Sequence, residues 1–277
     1  MKHQDLKWHT SDGIEIYGQC WLCEEKPKAV VCIVHGMGEH SGRYAHVAEF
    51  LVKSGYSVLA YDQRGHGKSG GKRGHTPSYD LLLDGVEDVL KQAEKIHPGK
   101  QKFIYGHSMG GNVVLNFALR RKPGISGVIA SSPWLKLAFE PPKLELALAR
   151  FANNIFPAFT QHTKLDTSAL SRDKQVVKDY ENDPLVHDLI SARFFLQTHE
   201  AASWALLHVG EWRLPLLLFH GTADRIISPE GSNEFADKVK GNLTFRLWDG
   251  FYHECHNEPE KKDVMGYICS WLDGHVK

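Results

Sequence analysis

The chain lacks an excess of charge of either sign. Its 277 residues include 33 lysines and arginines and 33 aspartates and glutamates, so its formal net charge at pH 7 is zero. Proteins that bind nucleic acid usually carry a surplus of basic side chains to neutralise phosphates. We therefore expect no nucleic acid among its partners.

Long apolar runs are also missing. No stretch of about 18 consecutive apolar residues is present that would predict a membrane-spanning helix. Residues 1–9 contain no apolar run of the kind that a signal peptide needs. The share of hydrophobic residues, 42%, is ordinary for a globular protein. These features predict a cytoplasmic protein that meets membranes only peripherally.

Cysteine is scarce and shows no disulfide pattern. The five cysteines are an odd number without the regular spacing of a small disulfide-rich domain, which favours reduced thiols. Cys20 and Cys23 have the spacing of a redox or zinc pair, but no second pair completes a metal site. We favour a structural role for them, with a redox or metal role as the alternative.

Short apolar runs alternate with amphipathic segments through most of the chain. Residues 29–34, 56–61 and 214–219 are typical of buried parallel strands. Residues 78–96 show helical periodicity. This order predicts an α/β fold, with a mostly parallel sheet and helices on both of its faces.

The alternation stops between about Trp134 and Glu211, where the chain is helix-like and interrupted by Pro141, Pro142 and Pro157. An insertion over the strand ends, where open α/β sheets bind ligands, explains this pattern. We predict a core of residues 1–135 and 212–277 and a helical cap of residues 136–211. Apolar side chains crowd the first part of this cap, namely Leu144, Leu146, Ala147, Leu148, Phe151, Ile155, Phe156 and Phe159.

The motif Gly-x-Ser-x-Gly, which surrounds the nucleophile of many hydrolases, occurs around Ser108 and again around Ser69. Ser108 directly follows an apolar strand and directly precedes a helical segment. This context exposes a serine at a sharp turn, and Gly106 and Gly110 leave room for that turn. Ser69 has loop-like neighbours. We therefore predict that Ser108 is a catalytic nucleophile.

A serine hydroxyl needs a general base, and the base needs an acid that orients it. In a fold of this kind the order along the chain is serine, acid, histidine. His253 follows the last predicted strand and Asp224 follows residues 214–219, so we predict these two as base and acid. Asp249 is the competing acid. His256 is expected to line the pocket; its spacing from His253 would suit two metal ligands, but no third ligand is implied.

Attack on an ester creates an oxyanion that backbone N–H groups must hold. One predicted donor is Met109, the residue after the nucleophile. The other is Met37, which lies between glycines in the loop after residues 29–34. The alternative for this loop is a simple turn that ends the strand.

The motifs together resemble the monoacylglycerol lipase and lysophospholipase branch of the α/β-hydrolases. The resemblance runs from about residue 8 to residue 273. The segments that carry it are residues 35–44, 62–69, 106–111, 170–174, 180–185 and 221–225.

This resemblance implies an eight-stranded α/β-hydrolase fold and hydrolysis of a monoacylglycerol, a small lipid ester, to fatty acid and glycerol, without metal or cofactor. It further implies that Glu39, Arg43 and His256 receive the glycerol hydroxyls and that Tyr180 contacts the head group. The alternatives are a carboxylesterase for short-chain or xenobiotic esters, a lysophospholipase, and a non-catalytic binding protein. The apolar cap residues would pack on the core, contact the acyl chain or rest on a membrane or micelle.

Overall fold

A central sheet of eight strands forms the body of the protein. The computed structural model describes residues 1–139 and 143–277, so Pro141, Pro142 and the side chains of Leu144 and Leu146 lie outside the described residues. In chain order the strands are β1 (Lys2–His9), β2 (Glu15–Leu22), β3 (Val30–Val34), β4 (Ser57–Tyr61), β5 (Lys102–His107), β6 (Gly127–Ser131), β7 (Thr160–His162), β8 (Leu189–Ser191), β9 (Leu216–Gly221) and β10 (Leu243–Trp248).

The large sheet has the strand order β1-β2-β4-β3-β5-β6-β9-β10, while β7 and β8 pair separately. Strand β2 runs antiparallel to its neighbours β1 and β4, and the other pairings in this sheet are parallel. The predicted α/β-hydrolase fold with a mostly parallel eight-stranded sheet is confirmed. Strand β1 has no counterpart among the apolar runs, because it is an edge strand on which exposed and half-buried positions alternate.

The helices of the described residues are α1 (Ala45–Lys53), α2 (Asp80–Ile96), α3 (Met109–Arg121), α4 (Lys143–Ile155), α5 (Lys174–Asn182), α6 (Ala192–His208), α7 (Pro229–Lys238) and α8 (Lys261–Asp273). They cover both faces of the sheet. Cys32 of β3 packs in one apolar core with α2 and α3, whereas its neighbours Val31 and Ile33 point into a second core with α1 and α8. This follows from the alternation of side chains along a strand.

The chain between β6 and β9, residues 132–215, leaves the sheet, and we call it the intervening segment. It contains α4, β7, α5, β8 and α6. Helix α6 lies on α3, where the buried Asn116 amide donates to the Ala201 carbonyl at 3.1 Å. Leu170 of this segment accepts a hydrogen bond from the backbone N–H of Glu254, in the loop after β10, at 2.8 Å. None of the described helices has the length and apolar character needed to cross a membrane.

A buried cluster of charges joins the loop after β3 to the loop after β10. Arg43 donates through one terminal nitrogen to Glu39 at 2.6 Å and to Glu254 at 2.7 Å, and through the other to Glu254 at 2.8 Å. All three side chains are at most 9% exposed. Burying an isolated charge is costly, so this geometry is stable because each charge has a hydrogen-bonded partner of opposite sign.

The electrostatics of the cluster follow from this pairing. Burial alone would raise the pKa of Glu254, but the charge and hydrogen bonds of Arg43 outweigh it and lower the pKa to about 2. The pKa of Arg43 is raised well above its usual value: burial opposes this shift, and the carboxylates of Glu254 and Glu39 overcome it. Both groups are therefore charged at neutral pH.

We expect Glu254→Gln to lower the free energy of unfolding by about 3 kcal/mol at pH 7, because it removes one charge of a buried pair. A carboxyl whose pKa is lowered by folding contributes stability above its unfolded pKa and loses it as the pH falls towards the folded value. For Glu254 this window runs from 4.5 down to about 2. The difference between wild type and variant should therefore shrink as the pH falls from 7 to 3, which urea unfolding can measure.

The matched control for this measurement is Glu49→Gln, because Glu49 is an exposed glutamate on α1. This control should change the unfolding free energy by less than about 0.5 kcal/mol at every pH. If the difference in unfolding free energy between wild type and Glu254→Gln stayed constant between pH 7 and pH 3, the lowered pKa of Glu254 would not contribute to stability.

Candidate active site

Ser108 lies at the junction between strand β5 and helix α3. Its backbone has φ of +54°, a left-handed conformation that costs energy for a residue with a side chain. Three backbone hydrogen bonds hold it there: Ser108 N–H donates to Ser131 O at 3.0 Å, and its carbonyl accepts from Asn112 at 3.0 Å and Trp134 at 2.9 Å. The turn therefore presents the Ser108 side chain at the carboxyl edge of the parallel strands.

The glycines of the motif are required by close contacts around this turn. A Cβ on Gly106 would lie 2.3 Å from the carbonyl oxygen of Gly110, and a Cβ on Gly110 would lie 2.1 Å from that of Val34. Any larger residue at either position would push α3 away from the sheet. Helix α3 begins at Met109, directly after the serine.

The second Gly-x-Ser-x-Gly motif has a different structural setting. The Ser69 hydroxyl donates to Asp62 O at 2.6 Å and accepts from Tyr17 N–H at 2.9 Å. It thus ties a loop to β2, and Ser69 does not line the cavity that Ser108 lines.

Asp224 and His253 meet beside this cavity. Asp224 follows β9 and His253 follows β10, and the Nδ1 of His253 lies 2.6 Å from Asp224 Oδ2. Asp249, the competing acid, is exposed and accepts from the Thr222 hydroxyl at 3.2 Å. Asp224 is therefore the carboxylate that contacts the histidine.

The charges of this pair stabilise each other. Burial would raise the pKa of Asp224, but His253 and His220 lower it far below its usual range. Burial would lower the pKa of His253, yet the Asp224 carboxylate raises it above 6.5. Among the described residues, the Ser108 hydroxyl has no hydrogen-bond partner, and it lines the same cavity as His253. Hydrogen bonds between such groups often tighten only when a substrate binds.

Two backbone N–H groups flank Ser108. The Cβ of Ser108 would lie 3.2 Å from a Cβ built on Gly36, so the loop carrying Met37 passes directly beside the serine. Gly36 N–H donates to Glu39 at 2.6 Å, which fixes this loop. In the described part of the chain, neither Met37 N–H nor Met109 N–H donates to another residue. Both donors are thus available near the serine.

The other predicted substrate-binding residues divide into two groups. Glu39, Arg43 and Tyr180 line the cavity, and the Arg43 guanidinium lies 4.7 Å from the centroid of the Tyr180 ring. His256 is fully buried and does not line the cavity. Its ring stacks on Tyr44 at 5.0 Å, because the chain enters a short 3-10 turn, Cys255–Asn257, directly after Glu254. Burial lowers the pKa of His256 to about 3.

Several residues at this site were not predicted from the sequence. Glu254, next to His253, pairs with Arg43, while the ring of His107 lies 4.7 Å from that of His253. His220 lies 3.0 Å from Asp224. The position of Glu254 directly after the predicted base was a signal in the sequence for a role at the site, but only the fold shows that this side chain is buried.

The cavity has a volume of about 1020 Å³. The intervening segment supplies much of its wall, including the apolar side chains of Leu137, Phe159 and Phe195. The polar corner of Glu39 and Arg43 lies in the same cavity. Among the side chains that the structure describes, no group of three or more His, Cys, Asp and Glu residues could hold a metal ion.

Comparisons with known proteins agree with this architecture. Residues 25–260 match the family described as serine aminopeptidase, S33. The chain is 33% identical over 275 residues to the monoacylglycerol lipase of Mycolicibacterium smegmatis, covering 95% of each. It is 37% identical over 275 residues to an abhydrolase domain-containing protein of Dictyostelium discoideum, but spans only 29% of that protein's length.

A solved structure extends the likeness. The crystal structure of the Paleococcus ferrophilus monoacylglycerol lipase matches with a TM-score of 0.84 and 35% identity, covering 99% of this chain and 100% of that one. The resemblance predicted from the sequence is thus confirmed. The chain belongs to the serine aminopeptidase S33 family of α/β-hydrolases and is a carboxylic ester hydrolase.

Proposed function

We propose that the chain hydrolyses monoacylglycerols to fatty acid and glycerol. The observation that carries this proposal is a single cavity that contains Ser108 and His253, an apolar wall and the polar corner of Glu39 and Arg43. The apolar wall suits an acyl chain, and the polar corner suits glycerol hydroxyls. The relatives named as monoacylglycerol lipases support the same assignment.

In this proposal Ser108 Oγ attacks the ester carbonyl while Nε2 of His253 takes its proton. Asp224 accepts from Nδ1 and stabilises the imidazolium that forms. The oxyanion receives hydrogen bonds from Met37 N–H and Met109 N–H, and the N-terminus of α3 adds its dipole. His253 then donates its proton to the departing glycerol oxygen. A water molecule, deprotonated by His253, releases the fatty acid from Ser108 in the reverse sequence.

We expect Asp224→Asn to lower kcat about 10⁴-fold, because an amide cannot hold the imidazole in the required tautomer. Asp249→Asn is the matched control and should retain kcat within about twofold. Ser108→Ala should abolish both turnover and covalent labelling by a fluorophosphonate. Steady-state assays on one ester measure the turnover of all three variants, and incubation with the fluorophosphonate measures the labelling of Ser108→Ala. Near-normal turnover by Asp224→Asn would refute its role as the acid.

Tyr180 is proposed to meet the head group. In the described residues its hydroxyl has no hydrogen-bond partner, although its ring is buried over Arg43 and lines the cavity. This free hydroxyl can bond a glycerol hydroxyl without breaking the charge cluster. Glu39 and Arg43 would contribute only the hydrogen-bonding capacity that their internal contacts leave. His256 does not line the cavity, so it has no direct contact with the head group in this proposal.

A substrate panel tests the assignment. Wild type should prefer 1-lauroylglycerol to 1-butyrylglycerol and to lauroyl lysophosphatidylcholine in kcat/KM. Tyr180→Phe should raise KM for 1-lauroylglycerol about three- to tenfold, the worth of one hydrogen bond, and leave KM for p-nitrophenyl laurate unchanged. Preference for butyryl esters would favour a short-chain carboxylesterase, and preference for the phospholipid would favour a lysophospholipase; either result would overturn the proposal.

We also propose that residues 136–211 act as a cap that meets a membrane or micelle surface transiently. Six of the nine large apolar side chains that are exposed in the described residues lie between residues 139 and 159. Phe151, 64% exposed, lies in the second half of α4, and Phe156, 69% exposed, directly follows this helix. Such a patch on a monomer marks an interaction surface, and lipid is the source of the proposed substrate.

Replacing both Phe151 and Phe156 by serine should lower binding to phosphatidylcholine vesicles about tenfold or more, because inserting one phenyl ring contributes more than about 1.5 kcal/mol. Co-sedimentation with the vesicles measures this. Turnover of soluble p-nitrophenyl butyrate should not change. Leu207→Ser is the control, because Leu207 is 80% exposed on α6, outside the patch. Equal vesicle binding by wild type and the double variant would remove the surface role.

A further inference from the structure

The Asp224 carboxylate has more partners than its contact with His253 requires. Oδ1 accepts from the backbone N–H groups of Ile226 at 2.8 Å and Ile227 at 3.0 Å. Oδ2 lies 2.6 Å from His253 Nδ1 and 3.0 Å from Nε2 of a second histidine, His220. Two oxygens with two lone pairs each thus have four donors, and His220 is the one side chain among them to which the mechanism has given no role.

The position of the proton on His220 follows from its contacts. Nε2 faces Asp224 Oδ2 and, at 3.2 Å, the carbonyl oxygen of Ile227. Neither of these oxygens carries a hydrogen, so Nε2 must be the protonated nitrogen that donates. On the other side of the ring, Nδ1 lies 2.8 Å from the hydroxyl of Ser232 on α7. His220 and Ser232 are both fully buried.

We propose that His220, oriented by Ser232, is a positioning residue that fixes the Asp224 carboxylate and moderates its attraction for His253. The proposal rests on the proposed function, in which Asp224 is the acid. His220 belongs to β9 and Ser232 to α7, so the orientation of the carboxylate is set by the sheet and a helix and not by its loop alone. The donor at Oδ2 also takes up part of the negative charge that faces His253.

Removing this donor should change the pH dependence of the reaction in a definite direction. With its Oδ2 charge less compensated, Asp224 would stabilise the His253 imidazolium more strongly. The base would then become free only at higher pH, so the acid limb of the kcat/KM profile would move upwards. The other groups around the pair stay the same: Glu39, Arg43, His107, Glu254, Cys255 and His256.

The test compares His220→Met, which fills the space without a donor, with His220→Gln, whose amide N–H₂ can take the place of Nε2. His220→Met should lower kcat about 10- to 100-fold and leave KM unchanged. A loss of this size is typical when a residue that hydrogen-bonds a metal-bound histidine, without touching the metal, is replaced. The acid limb of the kcat/KM profile of His220→Met should move up by about half to one pH unit, which corresponds to the net free energy of one hydrogen bond. His220→Gln should retain kcat within about threefold and the wild-type acid limb.

Three results decide the proposal. The proposal would be overturned if His220→Met kept the wild-type kcat and the wild-type acid limb. It would also be overturned if folded His220→Met and His220→Gln lost kcat equally, because the shape of the ring and not its donor would then matter. If His220→Met does not fold, Ser232→Ala is tested instead. Its kcat should fall about three- to tenfold while KM stays unchanged, and a wild-type kcat in Ser232→Ala would overturn the proposal. The Asp224→Asn assay is separate: an active Asp224→Asn would remove the acid role itself, whatever the His220 variants do.

Discussion

The buried guanidinium of Arg43 fixes both loops that flank Ser108. A buried charge must be paired, and here Glu39 on one side and Glu254 on the other supply the partners. Glu39 also accepts from Gly36 N–H and from the Tyr44 hydroxyl, so its position sets the path of the loop after β3. Glu254 directly follows His253 in the sequence. A single cation thus holds together the loop with the proposed oxyanion donors and the loop with the proposed base.

The same cluster, after burial and Asp224, contributes to the electrostatic surroundings of His253. Its neighbours Glu39 and Glu254 both raise its pKa, while burial lowers it. Arg43 limits the effect of these two carboxylates because it lies between them. On the other side His107, whose pKa burial lowers well below 6.5, adds a neutral ring. Of the three carboxylates near His253 in the described residues, Asp224 is consequently the one whose charge is not offset by an arginine.

The fold and the order of the polar residues could be predicted from the sequence because they depend on local signals. Apolar runs gave the central strands to within two residues, since a parallel strand is buried on both faces. Strand β1 left no such signal because it is an edge strand with one antiparallel neighbour, and only alternate side chains such as Leu6 and Trp8 pack against the core. Ser108 differed from Ser69 by its place between a strand and a helix, which is also local.

The parts that the sequence could not predict depend on which loops meet. His256 follows His253 by three residues, and no pattern in the sequence shows that a 3-10 turn carries its side chain under Tyr44 instead of into the cavity. The pairing of Arg43 with Glu254 spans 211 residues of chain. The contact of His220 with Asp224 is close in sequence, but a histidine in an apolar strand is usually a packed core residue, so the pattern alone gave it no role.

The chain's lack of net charge bears on how the proposed cap would meet lipid. Attraction to an anionic membrane depends on clustered basic residues, each of which contributes about 1 kcal/mol near the surface. With zero net charge and its exposed apolar side chains concentrated between residues 139 and 159, this protein would bind mainly through apolar area. Such binding is weak and reversible and depends little on salt or on the head groups of the lipid. It would suit an enzyme that takes one neutral lipid from a surface and leaves again.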